Sequence, residues 1–252
     1  MSQDERIQRI LEYMKINLKI TLEDICSLYG VSYDTARRDL VKMEQNNQIV
    51  RIRGGAMLPT FANNVPSYRE RHSNLESKRL IAMKAASLIN DGDYLLFDTS
   101  TTVQYVAEFL NTKNNVAVTN SIDIASTLSN KENIAIHLLG GEFHTWHRYT
   151  FGPRTLEMLS HLKVNKLFLG ACALNAEGVF STTVEDAYMK MEMIRRANQV
   201  ILLADSSKFG KDLFYRVCPF DKIDIIITDS VPSPDMNKTL DDAGVNLIIA
   251  KT

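Results

Sequence analysis

The chain has 252 residues, of which 45% are hydrophobic and 23% are charged, and its formal net charge is −1. That length exceeds the common size of one domain, and the apolar fraction is ordinary for a globular protein, so we expect two domains that can each bury a core. No apolar run approaches the roughly 20 residues that cross a bilayer, and the N-terminus is charged rather than signal-like, which excludes a membrane partner and predicts a cytoplasmic protein.

The first part of the chain predicts three helices joined by tight connections. Within residues 4–15, apolar side chains recur at intervals of three, one and three, which is one face of a helix. A second helix is expected to begin at Thr21, which forms a capping pair with Asp24. Gly30 then supplies a turn in the left-handed conformation, and Ser32 caps a third helix. Helix, helix, glycine turn and helix together predict a helix-turn-helix.

The third helix carries side chains suited to DNA. Tyr33, Arg37 and Arg38 project away from its apolar face. Residues near the start of a recognition helix reach base edges, and an arginine either bonds guanine through two donors or clamps a phosphate. The sequence does not assign these two roles between the arginines. A small helical bundle that binds a protein partner is the alternative interpretation.

Residues 48–56 alternate polar and apolar side chains and then break at paired glycines, which predicts a wing strand with a flexible tip. Between residues 37 and 53 there are five basic residues against two acidic ones, so the positive charge is local and suits the phosphate backbone. The residues expected to contact DNA are Ser32, Tyr33, Thr35, Arg37, Arg38, Arg51, Arg53 and Gly54.

The pattern Val-Ser-x-x-Thr-x-Arg-Arg-Asp-Leu from residue 31, followed by Arg-x-x-Gly-Gly-Ala from residue 51, resembles the winged helix-turn-helix of DeoR-type bacterial transcriptional regulators (DeoR/GlpR). The resemblance covers residues 1–57. It departs at Ala36, where the family usually has a branched aliphatic residue. It implies double-stranded operator DNA as a partner and a homo-oligomer, either a dimer or a tetramer.

Two prolines and several turn-forming residues follow, so we assign residues 58–77 to a linker and residues 78–252 to a second domain. In that domain short, continuous apolar strands alternate with helices. This pattern predicts an α/β domain with a mainly parallel sheet covered on both faces. The predicted strands are residues 94–97, 116–119, 134–139, 166–169, 200–204, 224–228 and 245–249.

Polar residues follow four of these strands, at the edge of the sheet where ligands bind. Taken singly, each Ser or Thr is an ordinary helix cap. Taken together with a double glycine and Lys208, they predict a pocket for a small, phosphorylated, hydroxyl-rich molecule. The candidate effector-binding residues at these strand ends are Asp98, Ser100, Thr101, Thr102, Thr119, Asn120, Gly140, Gly141, Asp205 and Lys208.

The second domain resembles the DeoR-type effector domain, which shares its fold with ribose-5-phosphate isomerase, glucosamine-6-phosphate deaminase and the CoA transferases. The matching motifs are residues 78–85, 97–102, 119–121, 140–141, 168–170 and 204–210, together with Glu185 and Lys190. The resemblance implies that a sugar phosphate is surrounded by Asp98, Thr101, Thr102, Asn120 and Lys208, and it adds Lys78, Glu185 and Lys190 to the candidate effector-binding residues. Ser100 departs from the family, which usually has glycine there, and adds a side chain where the phosphate is expected.

These observations predict a repressor of carbohydrate-metabolism genes whose operator binding is modulated by a phosphorylated sugar. The alternative is a sugar-phosphate isomerase or deaminase that carries an added DNA-binding module. Asp98, Glu185, Asp205 and Lys208 are possible acids and bases, but their spacing commits to no acid–base pair, so we expect no enzyme activity.

No metal or other cofactor is expected. His144 and His147 are the one close histidine pair in the sequence, but they lie in a segment without a helical apolar face. The three cysteines, Cys26, Cys172 and Cys218, lack the paired spacing of zinc or redox sites, and each is expected to be a small buried apolar residue.

Overall fold

The computed structural model describes residues 2–17, 19–46, 48–52, 54–58 and 75–251. The chain divides into two compact units, residues 1–65 and 66–252. Most of the predicted linker, residues 58–77, lies outside the described residues, and its last three residues belong to a helix rather than to a linker. Among the described helices, none is both long enough and apolar enough to cross a bilayer.

The N-terminal unit is a winged helix-turn-helix, as predicted. Its elements are α1 (Gln3–Asn17), β1 (Lys19–Thr21), α2 (Leu22–Tyr29), α3 (Tyr33–Gln45), β2 (Val50–Ile52) and β3 (Gly55–Met57). The three strands form an antiparallel sheet in the order β1-β3-β2. Strand β1 was not predicted, because three residues are too few to show an alternating pattern. The second helix begins as predicted, with Thr21 and Asp24 forming a capping box.

The C-terminal unit alternates strands and helices. Its elements are α4 (Leu75–Ala86), β4 (Tyr94–Phe97), α5 (Thr101–Phe109), β5 (Asn115–Thr119), α6 (Ile122–Leu128), β6 (Ile134–Leu138), β7 (Glu142–His144), β8 (Tyr149–Phe151), α7 (Pro153–Ser160), β9 (Val164–Gly170), β10 (Ala173–Asn175), β11 (Gly178–Ser181), α8 (Val184–Arg196), β12 (Ala197–Leu203), β13 (Tyr215–Cys218), β14 (Ile225–Thr228), α9 (Pro234–Asp242) and β15 (Asn246–Ile249).

Seven strands form the central sheet in the order β15-β14-β12-β9-β4-β5-β6, and every neighbouring pair is parallel. This confirms the predicted mainly parallel sheet. A small antiparallel sheet, β10-β11-β13, and the hairpin β7-β8 complete the unit. These five short strands were not predicted, because none of them contains the continuous apolar run that marks the central strands.

Helices cover both faces of the central sheet, so successive residues of a strand enter different cores. In β9, Leu167 and Leu169 belong to one apolar cluster, whereas Phe168 belongs to the other. Phe168 stacks on Phe97 of β4, with ring centroids 5.5 Å apart. Burying each such ring contributes roughly 1.5–3 kcal/mol. The stack therefore fixes β4 against β9, and the candidate cavity lies just beyond the ends of these two strands.

Candidate functional site

The start of α3 is fixed by the predicted turn and cap. Gly30 has φ 64° and occupies the left-handed region between α2 and α3. The Thr35 backbone N–H donates to Ser32 Oγ at 3.3 Å, and the two hydroxyl oxygens lie 3.0 Å apart. The structure thus places Ser32 and Thr35, both predicted to contact DNA, in the helix cap, where they set the position of the helix start.

One face of α3 is solvent-exposed and rich in basic residues, and we call it the outer stripe. It forms a shallow groove lined by Asp34, Arg37, Arg38, Val41, Lys42 and Gln45. Tyr33, also exposed, donates through its hydroxyl to Glu23 of α2 at 3.2 Å. The opposite face is buried and packs in the core, as predicted, through Ala36, Leu40 and Met43. The two predicted readout arginines therefore lie side by side on the exposed face.

The two glycines of the wing meet different requirements. Gly54 lies between β2 and β3 with φ 81°, a conformation that disfavours side chains. At Gly55 an added Cβ would lie 2.2 Å from the Ile20 carbonyl oxygen of β1, so close strand packing requires glycine. Arg51 is partly buried in β2, and its Nε meets no acceptor within the described residues. Arg53 lies outside the described residues.

In the C-terminal unit a cavity opens beyond the ends of β4 and β9. The space inside it, open mouth included, is about 430 Å³. In the sheet, β4 lies between β5 and β9. Strand β5 is the next strand in the chain, whereas β9 comes much later. In open α/β sheets ligands bind at such a switch point. The lining residues are Thr99, Ser100, His147, Tyr149, Gly170, Ala171, Cys172, Thr182, Thr183, Asp186 and Lys190.

Three charged groups lie at the base of the cavity, and we call them the floor cluster: Asp186 and Lys190, which line the cavity, and Asp98, which pairs with Lys190 behind the lining. Lys190 Nζ pairs with Asp98 and lies 3.8 Å from Asp186 Oδ1. Gly170 binds both members of the pair, because its N–H donates to Asp98 Oδ2 at 2.9 Å and its carbonyl accepts from Lys190 at 3.2 Å. The Lys190 and Asp98 side chains are only 4% and 2% exposed.

Burial and the opposite charges nearby act against each other on both members of the buried pair in the floor cluster. Burial raises the pKa of Asp98, and the neighbouring Asp186 adds to this, although Lys190 opposes it. Burial disfavours the Lys190 ammonium, but Asp186 and Asp98 outweigh that effect and raise its pKa. The cluster thus places two carboxyl groups and one ammonium next to the cavity.

Two aromatic side chains form a wall of the cavity. His147 and Tyr149 are carried by the β7-β8 hairpin, with parallel rings whose centroids lie 6.1 Å apart. Arg148 between them has φ 59° and pairs with Asp123 of α6 at 2.7 Å. Burial raises the pKa of the Tyr149 phenol, so this group stays neutral. The hairpin therefore presents a neutral phenol and an imidazole to the cavity.

The start of α5 forms another part of the cavity rim. Ser100 precedes the helix in extended backbone with φ −147°, a conformation that does not require glycine, and its side chain does not cap the helix. The first helical hydrogen bond runs from the Gln104 N–H to the Ser100 carbonyl, so the amides of residues 101–103 precede any helical acceptor. An added Cβ at Gly170 would lie 2.4 Å from the Ser100 Cβ. Ser100 therefore requires glycine at position 170.

Of the thirteen candidate effector-binding residues, Ser100 and Lys190 line the cavity, and Asp98 pairs with Lys190 behind the lining. Thr101 and Thr102 follow in the first turn of α5. Glu185 is exposed, and Lys190 contacts Asp186 instead. The other candidates lie outside the cavity lining: Lys78, Thr119, Asn120, Gly140, Gly141, Asp205 and Lys208.

Several of these outer candidates have structural contacts of their own. Asn120 is buried, accepts from Thr99 at 3.1 Å and donates to the Thr150 carbonyl at 3.0 Å. Thr119 donates to the Phe97 carbonyl at 2.9 Å. Gly140 accepts from Thr155 of α7 at 2.7 Å. These residues therefore connect the loops around the cavity.

The remaining outer candidates lie on three other elements. Lys78 is buried within α4. An added Cβ at Gly141 would lie 2.1 Å from the Thr155 hydroxyl oxygen, so this glycine permits the approach of α7. Asp205 accepts from the Ser207 N–H at 3.0 Å, and Lys208 follows in the same turn after β12. Strand β12 lies two strands from β4 in the sheet. The chain that leads to Lys208 therefore leaves the sheet roughly 10 Å from the end of β4.

Some lining residues were missed by the sequence analysis. Asp186 precedes Lys190 by four residues on a helix, a spacing that signals a shared face. All three cysteines were predicted to be small buried apolar residues. This is confirmed for Cys218 and wrong for Cys26 and Cys172, which are only partly buried, and Cys172 lines the cavity. His147 was weighed only as a metal ligand. Thr182, Thr183 and Tyr149 carried no signal, because only the fold brings them to the cavity.

The two units match two family models. The model described as a DeoR-like helix-turn-helix domain matches residues 6–61, and the one described as a DeoR C terminal sensor domain matches residues 73–230. The HTH-type transcriptional repressor GlcR of Bacillus subtilis (strain 168) is 44% identical, over 100% of this chain and 98% of its own length. The glycerol-3-phosphate regulon repressor of Escherichia coli (strain K12) is 31% identical, over 98% of this chain and 99% of its own.

Among solved structures, D-ribose-5-phosphate isomerase in complex with phospho-erythronic acid aligns with 54% of this chain and 54% of its own. The TM-score is 0.41 and the sequence identity is 17%. Similarity at this level says nothing about the activity of this chain.

Proposed function

Because this chain belongs to the DeoR family of transcriptional regulators, we propose that it is a sequence-specific repressor of carbohydrate-metabolism genes whose operator binding is modulated by a phosphorylated sugar in the C-terminal unit. The observation that carries the proposal is the polar cavity at the switch point of the parallel sheet. The repressors in the family bind DNA, and the exposed arginines of the outer stripe supply the matching surface here.

The charge of the cavity suggests how such a ligand lies in it. The floor cluster carries two carboxylates and one ammonium, so it favours hydroxyl donors and repels a phosphate. At the rim, by contrast, the first turn of α5 offers backbone amides that precede any helical acceptor, at the positive end of a helix. We therefore place the hydroxyl groups of the sugar toward Asp186 and the phosphate toward residues 100–102.

Catalysis is not part of the proposal. A general base must reach the proton that it removes, to within hydrogen-bond distance. Asp98 and Lys190 are almost fully buried and are paired with each other. Two relatives that match over nearly their whole length, GlcR and the glycerol-3-phosphate regulon repressor, are repressors. Turnover of a pentose or hexose phosphate by the purified protein would favour the isomerase or deaminase alternative.

A ligand releases DNA only if it binds two states of the protein unequally. In our proposal the protein is a cytoplasmic homo-oligomer, a dimer or a tetramer, that places two copies of α3 on repeated half-sites of double-stranded operator DNA. The ligand then favours the arrangement that does not fit these half-sites.

The test has two stages. Selection from a random-sequence duplex pool should enrich one operator, which would establish sequence-specific binding. A thermal-shift screen of sugar phosphates and their parent sugars should then identify a compound that raises the melting temperature and lowers operator affinity. A hit among sugar phosphates whose parent sugar is inactive supports the proposal. No shift across the panel, with unchanged operator binding, would refute the effector part alone.

A cavity-filling variant shows where the ligand acts. In Cys172→Trp the indole fills part of the cavity that Cys172 lines. We therefore expect operator affinity to remain, while both the ligand-induced thermal shift and the effect of the ligand on operator binding disappear. Tyr188→Trp is the matched control, because Tyr188 is 59% exposed on α8 and lies outside the cavity. An unchanged ligand response in Cys172→Trp would exclude this cavity as the effector site.

A further inference from the structure

The first turns of α1 hold α3 through a buried ion pair. Arg6 Nε donates to Asp39 Oδ2 at 2.5 Å, and Arg6 Nη2 donates to Asp39 Oδ1 at 3.0 Å. The Arg6 side chain is 8% exposed and that of Asp39 is 0% exposed. Two-pronged, charge-assisted bonds of this kind fix both distance and angle. Asp39 directly follows Arg37 and Arg38 in the chain, so the pair holds α3 at the level of its readout side chains.

Neighbouring polar residues extend this contact into what we call the α1–α3 clamp, formed by Gln3, Asp4, Arg6, Asp39 and Lys42. Gln3 Nε2 donates to Asp39 Oδ1 at 3.0 Å, and Lys42 Nζ donates to Asp4 Oδ1 at 2.8 Å. Asp39 and Lys42 are one turn apart, so α1 holds two successive turns of α3. The Lys42–Asp4 pair is exposed and contributes little by itself. The buried Arg6–Asp39 pair is therefore the principal contact of the clamp.

Apolar packing alone fixes the rotation of α3 only loosely. The buried face consists of Ala36, Leu40 and Met43, and apolar contacts have no directional preference. Hydrogen bonds weaken steeply with angle. A rotation of α3 by about 20° moves a side-chain tip at a radius of about 5 Å by about 2 Å. That displacement is enough to break a two-donor bond from arginine to a guanine edge.

We propose that Arg6, which is too buried to read DNA itself, is a positioning residue for sequence readout: its fork on Asp39 fixes the rotation of α3 and thereby the aim of Arg37 and Arg38. The inference rests on the proposed sequence-specific binding. Stability alone does not require the pair, because buried ion pairs are often replaced by apolar residues without loss of stability. The structural reason for this pair is instead its directionality.

The test compares stability with discrimination in the full-length protein. The probes are the duplex that the wild-type protein enriches from a random-sequence pool and the same duplex with its bases shuffled. In the double variant Arg6→Leu, Asp39→Leu we expect a melting temperature close to wild type. We also expect the ratio of the affinity for the enriched duplex to that for the shuffled duplex to fall about tenfold, because that is the effect of losing one good base contact. Arg9→Leu is the matched control, because Arg9 lies on α1, is exposed and pairs with Glu5 rather than with α3.

The outcomes separate the two proposals. If the wild-type protein enriches no sequence, the proposed function fails. If it does and the double variant keeps both stability and discrimination, only the positioning role of Arg6 is refuted. Arg6→Lys gives a second decision should the double variant not fold, because lysine keeps the charge but loses the planar fork. We expect discrimination to fall several-fold in Arg6→Lys, and unchanged discrimination in the folded variant would overturn the inference.

Discussion

Removing the ammonium from the floor cluster should destabilise the C-terminal unit strongly. In Lys190→Met, Asp98 remains 2% exposed without its partner. Breaking a buried ion pair in this way costs about 3–5 kcal/mol. For a unit of the size of residues 66–252, each kcal/mol lowers the melting temperature by about 2–4 °C, so the expected decrease is about 6–20 °C. Thermal unfolding followed by circular dichroism at neutral pH measures it.

The pH dependence of Lys190→Met gives an independent test. Burial already raises the pKa of Asp98, and loss of Lys190 removes the group that opposes this rise. Between the unfolded and folded pKa values the folded variant holds a proton that the unfolded chain has released, so lowering the pH stabilises the folded state. The deficit at neutral pH should therefore shrink as the pH falls through the folded pKa of Asp98.

A surface lysine provides the control for this prediction. Lys222 pairs with Asp221 at 3.3 Å, and the two side chains are 57% and 59% exposed, so Lys222→Met should change stability very little. If Lys190→Met unfolds at the same temperature as Lys222→Met at every pH, the argument that Asp98 and Lys190 interact as a buried charged pair is refuted.

Three further predictions concern other parts of the molecule. In Gly170→Ala the new methyl group lies 2.4 Å from the Ser100 Cβ, so thermal unfolding should show a loss of about 1–3 kcal/mol; adding Ser100→Gly should restore most of it, and no recovery would contradict the steric explanation. Arg37→Ala with Arg38→Ala should abolish operator binding in fluorescence anisotropy and leave the unfolding of the C-terminal unit unchanged; wild-type affinity would remove these arginines from the readout. Thr21→Ala removes the capping box of α2, and urea unfolding should show a loss of about 1 kcal/mol in the N-terminal unit, whereas an unchanged midpoint would show that the cap contributes nothing.

Local signals in the sequence were sufficient to predict most of the fold. The seven parallel strands are short apolar runs because both faces of the sheet are buried, and such runs are visible without any partner. The turn at Gly30 and the cap at Ser32 depend on nearby residues alone, and both predictions are confirmed. The short strands of β10-β11-β13 and of the hairpin depend on distant partners and leave no pattern of their own.

The cavity was only partly predictable, for a geometric reason. Residues four apart share a helix face, whereas residues five apart point about 140° away from each other. This is why Asp186 contacts Lys190 while Glu185, paired with it by family resemblance, is exposed. His147 and Tyr149 reach the cavity only because a hairpin folds back over the sheet end. No spacing in the sequence records that placement.

The position of β4 in the sheet has a consequence for the order in which the C-terminal unit assembles. Tyr94–Phe97 is the first strand of the central sheet to be synthesised, yet it pairs on one side with Val164–Gly170, which follows after β5, β6, the hairpin and α7. The cavity lies at the junction of β4 and β9, two strands that are far apart in the sequence. It therefore forms only after the two halves of the sheet have joined. A ligand bound there would stabilise the pairing of β4 with β9. Amide hydrogen exchange in β4 and β9 should then slow more than exchange in the edge strands β6 and β15.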